Sequence, residues 1–320
     1  MSKGFQLIRA DESITERPLI FTIFGQPGIG KTSLSFTMPG PVLFMDFDRG
    51  LTRAVQQSRP DSFSVSDFGA FWEHVQSEQF QIDVEEGNYQ SFVVDTVGAM
   101  LDDYAASYLI SMDRKNGNAA GGLSLQGWGA LGNLFNKLRA RLQSLDLHLC
   151  LVSHAKDAGE DAVVRMDLAI KGGSSDIVTR ISDQIGFVWM EGKNRVIEFT
   201  PSQMHLGKDT AAVGKVAIPD AADIKYQTFF SDIVTRVNAK MASETEAQIA
   251  AKAKIAAYRN EISECKTPEQ FTALSERVAT EGATVRVQLK QLLSAQMKAQ
   301  GVEYNKEAKA FQKVPANVEG

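Results

Sequence analysis

Residues 25–32, GQPGIGKT, constrain this 320-residue chain more than any other stretch. They fit G-x-x-x-x-G-K-[ST] at every fixed position. An apolar, β-forming run, residues 18–25 (PLIFTIFG), precedes them. A segment of helical character, residues 32–37, follows and is stopped by Pro39-Gly40-Pro41. Strand, glycine loop and helix in that order are the context this pattern requires. The glycines let backbone N–H groups face phosphate, the lysine places a cation on the β/γ-phosphates, and the threonine hydroxyl can ligate Mg²⁺. The expected ligands are therefore ATP and Mg²⁺, held by Gly25, Gln26, Pro27, Gly28, Ile29, Gly30, Lys31, Thr32 and Ser33, with Thr32 on the metal.

Strand and helix patterns alternate beyond the loop. Residues 42–47 (VLFMDF) read as a second strand, and residues 91–94 as a third. Residues 68–79 have helical spacing at Phe68, Phe71, Trp72 and Val75, and a further helix is expected over 97–112. Residues 113–127 (DRKNGNAAGGLSLQG) are rich in Gly, Asn and Ala, lack an apolar period and read as a mobile loop. Helical spacing returns over 128–145, with Leu131, Leu134, Phe135, Leu138 and Leu142 on one stripe. Residues 147–152 (LHLCLV) form a fourth strand pattern. Strands are also expected over 162–171, 185–190 and 195–200, with a short helix at 176–181 and a hairpin turn at Gly192-Lys193-Asn194. The class is α/β: a mostly parallel sheet flanked by helices and extended at one edge.

From about residue 232 to 300 the pattern is helical and rich in Ala, Glu, Lys and Gln, enough for two or three helices. One starts at Thr267-Pro268, with Thr267 as cap and Pro268 in the first turn. The tail from about Tyr304 reads as loose. The expected division is an ATP-binding core over 1–238 and a C-terminal helical extension over 239–320.

Three further strand ends carry polar groups. SFVVDTVGAM, residues 91–100, delivers Asp95 where a P-loop protein holds Mg²⁺. VLFMDFDRG, residues 42–50, ends in Asp46 and Asp48; the outer one, Asp48, is the candidate to orient or deprotonate the attacking water. LVSHAKD, residues 151–157, places Ser153 and His154 where a polar group can sense the γ-phosphate.

Composition narrows the partners. A net charge of −5 excludes a broadly basic nucleic-acid coat, so any such contact comes from local loops. No apolar run approaches the roughly 20 residues of a membrane helix, and the first residues lack the apolar core of a signal peptide. A cytoplasmic protein with no membrane partner is expected. Cys150 and Cys265 lie outside any metal-ligand spacing, and Cys150 sits in a core-like run.

The ordered set resembles the RecA-type recombinase core over residues 18–237: the P-loop, Asp46 and Asp48, VVDTV at 93–97, the Gly-rich loop, LVSH, then KGGSSDIVTRISDQIG. It is most similar to the short phage P-loop ATPases of single-strand annealing. The resemblance implies a RecA-like sheet, with Lys31, Asp48, His154 and Lys208 as catalytic residues. Asp48 takes the place of the water-activating acid, which is Glu in RecA itself, and His154 the sensor place, commonly Gln. Lys208, in LGKDTAAVG at 206–214, would reach the ATP of a neighbouring subunit, although RecA has two lysines there. Residues 113–127 and 155–175 match the two DNA-facing loops. Arg114, Lys115, Asn116 and Asn118 in the first, and Lys156, Arg165 and Lys171 in the second, are the candidate contacts to single-stranded DNA. Trp128 reads as core.

The expected function is an ATPase that oligomerises, as ring or filament, on single-stranded DNA and promotes annealing or strand pairing. Two other readings remain open. One is a helicase-type or loader motor. The other is a nucleotide-gated module with little hydrolysis, whose C-terminal helices recruit a protein partner.

Overall fold

Alternate residues of the first strand face opposite sides. Leu19, Phe21 and Ile23 enter one apolar core, Ile20 and Phe24 another, and all are buried. A strand covered on both faces needs such an uninterrupted apolar run. It forms the middle of the sheet in this computed structural model, which describes residues 17–54, 59–159, 164–305 and 310–313.

In chain order the core elements are β1 (Ile20–Gly25), α1 (Lys31–Ser35), β2 (Val42–Asp46), β3 (Asp61–Ser64), α2 (Phe68–Gln76), α3 (Glu78–Glu85) and β4 (Ser91–Asp95). A helical stretch follows as α4 (Val97–Ala99), a π-type segment (Met100–Ala105) and α5 (Ala106–Met112). Next come α6 (Leu125–Ser144), β5 (His148–Asp157), β6 (Met166–Leu168), α7 (Ser174–Ile181), β7 (Gln184–Glu191), β8 (Asn194–Glu198), β9 (Lys208–Asp209) and β10 (Lys215–Ala217). The chain ends in α8 (Phe229–Glu264), α9 (Pro268–Ala279), α10 (Ala283–Ala299) and the hairpin β11 (Val302–Asn305) and β12 (Ala310–Lys313).

The main sheet runs β10-β8-β7-β1-β5-β4-β2-β3. Every pair from β7 to β3 is parallel, and β8 and β10 extend one edge antiparallel. One face is covered by the apolar stripe of α6, Leu131, Phe135, Leu138 and Leu142, with Phe71, Val75 and Phe80. The other is covered by Leu34 of α1 and by Phe229, Phe230, Ile233, Val234 and Val237 from the start of α8. Each such side chain contributes about 1.5–3 kcal/mol by leaving water. The α/β class and the parallel sheet expected from the sequence are therefore present.

Contacts divide the chain into two compact units, one reaching Met241 and one running from Ala242 to the end. The second has its own core, with Tyr258, Ile262, Phe271, Leu274, Val278, Leu289 and Leu293. Thr267 and Gln270 form a reciprocal cap at the start of α9.

Several expectations change. Strand β3 was not foreseen, because DSFS holds one apolar residue, Phe63, and no apolar run; it pairs in parallel with β2. The helix expected over 68–79 splits at Ser77, whose hydroxyl accepts from Phe80 N and starts α3. Arg141 braces that junction, donating to Val75 O and Ser77 O. Strand β5 continues to Asp157 rather than stopping at 152, because its last three residues pair with β6. The strand expected over 162–171 is reduced to Met166–Leu168, and residues 162 and 163 lie outside the described residues. Within the tail expected to be loose from residue 304, β11 and β12 pair and Tyr304 packs edge-on to Phe311; residues 306–309 and 314–320 lie outside the described residues.

Residues 113–127 are a closed, internally bonded loop, not an open one. Asn116 is only 7% exposed and its amide donates to Leu109 O at 2.8 Å. Asn118 donates to Leu123 O and accepts from Ala120 N and Gly122 N, each at 3.0 Å. Ser124 then caps α6, so that helix begins at Leu125 rather than Trp128.

Candidate nucleotide-binding site

The P-loop leaves β1 at Gly25, where a Cβ would collide with Val188 O of the neighbouring strand. Gly28 and Gly30 have φ of 78° and 92°, the left-handed region open to glycine. Lys31 then opens α1. Its ammonium is buried and donates to Gly25 O and Gln26 O, each at 3.0 Å. Burial lowers its pKa from the ordinary lysine value, while the charges of Asp95 and Asp48 act in the opposite sense.

Asp95 ends β4, only 2% exposed, and accepts a hydrogen bond from Thr32 Oγ1 at 2.6 Å. Burial pushes its carboxyl up to about 6, against the Thr32 bond and the Lys31 charge. The Asp95–Thr96 peptide is cis, and Thr96 Oγ1 accepts from Ala99 N at the helix start.

The two acids at and after the end of β2 differ in their surroundings. Asp46 is buried, and its carboxylate accepts from Gly50 N and Leu51 N at 3.0 and 3.1 Å, which shapes the turn. Strand β2 ends at Asp46, so Asp48 lies beyond the sheet and is half exposed, 3.2 Å from His154 Nε2.

Gly28, Lys31, Thr32, Asp48, Asp95 and His154 line one cavity of about 420 Å³. This donor set fits a nucleoside triphosphate. The Lys31 ammonium bonds only to carbonyls of its own loop, which a phosphate can displace. Among the described residues no group of three or more His, Cys, Asp or Glu is placed to hold a metal alone. Mg²⁺ ordinarily takes one or two protein oxygens and completes its shell with phosphate and water, and Thr32 and Asp95 are placed to be those ligands.

His154 pairs with Gly25 in the β1–β5 register, and its carbonyl accepts from Ala169 N at 2.9 Å. The same strand extension carries Lys156, which donates to Ile170 O at 3.0 Å. Lys171 N donates to Asp102 Oδ2 at 3.0 Å, and Gly172 lies against the Trp128 ring. Trp128 is thus half-buried packing, and it ties α6 to the segment after β6. Ser153 is buried and its hydroxyl donates to His154 O.

The structure thus brings together the P-loop, Asp48, Asp95 and His154. It leaves Arg114, Lys115, Arg165 and Lys171 exposed on their loops and Lys156 exposed on the end of β5, and it turns Asn116 inward. Lys208 is committed within its own chain: its ammonium donates to Thr179 O and Arg180 O at the end of α7, at 3.4 and 3.2 Å. A cation at a helix C-terminus is favoured by the carbonyls it meets there.

One residue at the P-loop was missed. Arg195, at the start of β8, donates from Nη1 to Ile29 O at 3.3 Å and lies over the Tyr226 ring at 5.7 Å. A Cβ on residue 30 would collide with its guanidinium. An isolated arginine after a hairpin turn gives no sign of this in the sequence.

Residues 17–211, more than half of the chain, match the AAA domain family, and the chain belongs to that family. That family is one of AAA-type P-loop ATPase domains, and the chain has the α/β core expected of one. No curated protein matches the chain.

Proposed function

We propose that this AAA domain protein is an ATP-dependent recombination protein that binds single-stranded DNA and promotes annealing or strand pairing as a homo-oligomer. The observation that supports it is one continuous connection. Asp48 meets His154 at 3.2 Å, and His154 shares its carbonyl with the segment that carries Lys171. A group that touches the γ-phosphate and a backbone that carries basic residues are the two ends an ATP-gated DNA loop needs.

In this reading Lys31 releases the carbonyls of Gly25 and Gln26 and takes the β/γ-phosphates. Asp48 orients the attacking water. His154 follows Asp48 and carries the change along β5 toward Lys156 and Lys171. Bound Mg²⁺ would supply charge neutralisation at the β/γ-phosphates. The carboxylate at Asp48, one methylene shorter than Glu, favours slow hydrolysis.

Fluorescence anisotropy with labelled single-stranded DNA tests the reading. Expected is binding that ATP tightens and that weakens steeply between about 50 and 200 mM salt. No salt-sensitive binding with ATP sinks it. Electron microscopy with ATP, with and without DNA, separates ring or filament from monomer.

The separate core of the C-terminal unit favours one second reading, a nucleotide-gated module that recruits a protein. ATP binding without turnover, together with loss of partner capture on truncation after Asn238, would select it.

A further inference from the structure

We infer that Arg195 is a phosphate-binding residue of the nucleotide site, taking the α/β-phosphate portion of a nucleoside di- or triphosphate. The inference rests on the reading of residues 25–32 as a nucleotide loop.

Its place in the sheet argues for this division. Asp48, Asp95 and His154 come from β2, β4 and β5, all on one side of β1. Arg195 comes from β8, beyond β7, on the other side. The acids and the metal-ligating pair mark the γ-phosphate end. A cation on the opposite flank meets the part of the ligand nearer the nucleoside.

Its local contacts argue for a ligand. The guanidinium carries five donors in a rigid fork that matches phosphate. Among the described residues it has no carboxylate partner; its guanidinium donates to Ile29 O at 3.3 Å and interacts with Tyr226, over whose ring it lies. Its contact with Gly30 places it directly on a residue that lines the cavity. Gly30 has φ +92° and no side chain, which leaves room for both the loop's turn and the guanidinium. An arginine held half-buried by neutral partners, one carbonyl and one tyrosine, is placed to move onto an anion entering the loop.

The test is calorimetric titration of Mg-ATP and Mg-ADP into full-length wild type, Arg195→Gln, Arg195→Lys and Lys31→Ala, together with thermal melts without nucleotide and steady-state kinetics. Loss of one charge-assisted bond to phosphate corresponds to about a tenfold or greater loss of affinity. Expected for Arg195→Gln is that loss for ATP and ADP alike, a raised KM with kcat nearly unchanged, an unaltered melt without nucleotide, and partial recovery in Arg195→Lys. Unchanged ADP affinity, or a loss confined to kcat, overturns the proposal. So does a lowered melt with equal loss in Arg195→Lys, which would make Arg195 a brace of the loop only. If wild type and Lys31→Ala both fail to bind nucleotide, the loop reading itself fails and takes the proposal with it.

Discussion

Thr32 Oγ1 donates to Asp95 Oδ2 at 2.6 Å, so the two groups placed to hold Mg²⁺ hold each other. The carboxylate in that bond is almost fully buried, and burial raises its pKa to about 6 from an ordinary 3.8.

The first prediction follows from the sign of that shift. The folded state binds the Asp95 proton more tightly than the unfolded chain does. This contribution to stability is therefore largest in acid and is lost as pH rises through about 6. At pH 8 the ionised group costs roughly 1–3 kcal/mol. Asp95→Asn keeps an acceptor for Thr32 and removes the charge. Its nucleotide-free melting temperature at pH 8 should rise by several degrees, while Mg²⁺ no longer tightens ATP binding. Scanning and titration calorimetry read the two effects, and a lowered melting temperature would contradict the account.

Lys31→Ala removes a buried ammonium whose only hydrogen bonds run to carbonyls of its own loop. ATP affinity should fall about ten- to a hundredfold, the range for charge-assisted bonds to phosphate. The fold should survive, because the lysine is desolvated without an ion-pair partner in hydrogen-bond contact. Unchanged affinity by calorimetry would remove Lys31 from the site.

Asp48→Asn leaves the Asp46 carboxylate and its bonds to Gly50 N and Leu51 N in place, so the turn keeps its shape. ATP binding should be retained and kcat should drop by about 10²–10⁴, the usual worth of a positioned general base. Turnover at the wild-type rate would move that role to another residue.

His148 adds a second pH dependence, opposite in sign to that of Asp95. Its Nδ1 accepts from Leu19 N at 3.1 Å, and burial lowers its pKa below 6.5. A base with a depressed folded-state pKa stabilises above the unfolded value and loses that contribution as pH falls toward the folded one. Wild type should therefore lose stability relative to His148→Asn as pH drops below about 6.5. Urea midpoints of the two proteins at several pH values measure the difference; parallel curves would exclude His148 as the source.

Elements with a strong period were legible in the sequence. The stripe of α6 and the apolar runs of β1, β2, β4 and β5 bury large side chains, and burial leaves a pattern in composition. Strand β3 and the loop at residues 113–127 were not legible. The first is held by main-chain pairing, which any residue can supply. The second is held by Asn116 and Asn118 bonding to carbonyls and amides that only the folded loop brings near. Polar residues look alike in a sequence whether they face water or their own backbone.

The sequence by itself determined the P-loop, because its glycines, Lys31 and Thr32 are contiguous and the local chain sets their geometry. It also placed Asp95 at the carboxyl end of its strand; Asp48 lies just beyond β2, and His154 lies within β5, opposite Gly25. Only the tertiary structure bonded Asp46 to its own turn and left Asp48 beside His154, set Lys208 against the end of α7, and brought Arg195 to Gly30. The contacts of Asp48, Lys208 and Arg195 depend on pairing between segments far apart in the chain. Arg195 lies 165 residues from Gly30, and the β1–β7–β8 register, which sets their approach, is written in no local pattern.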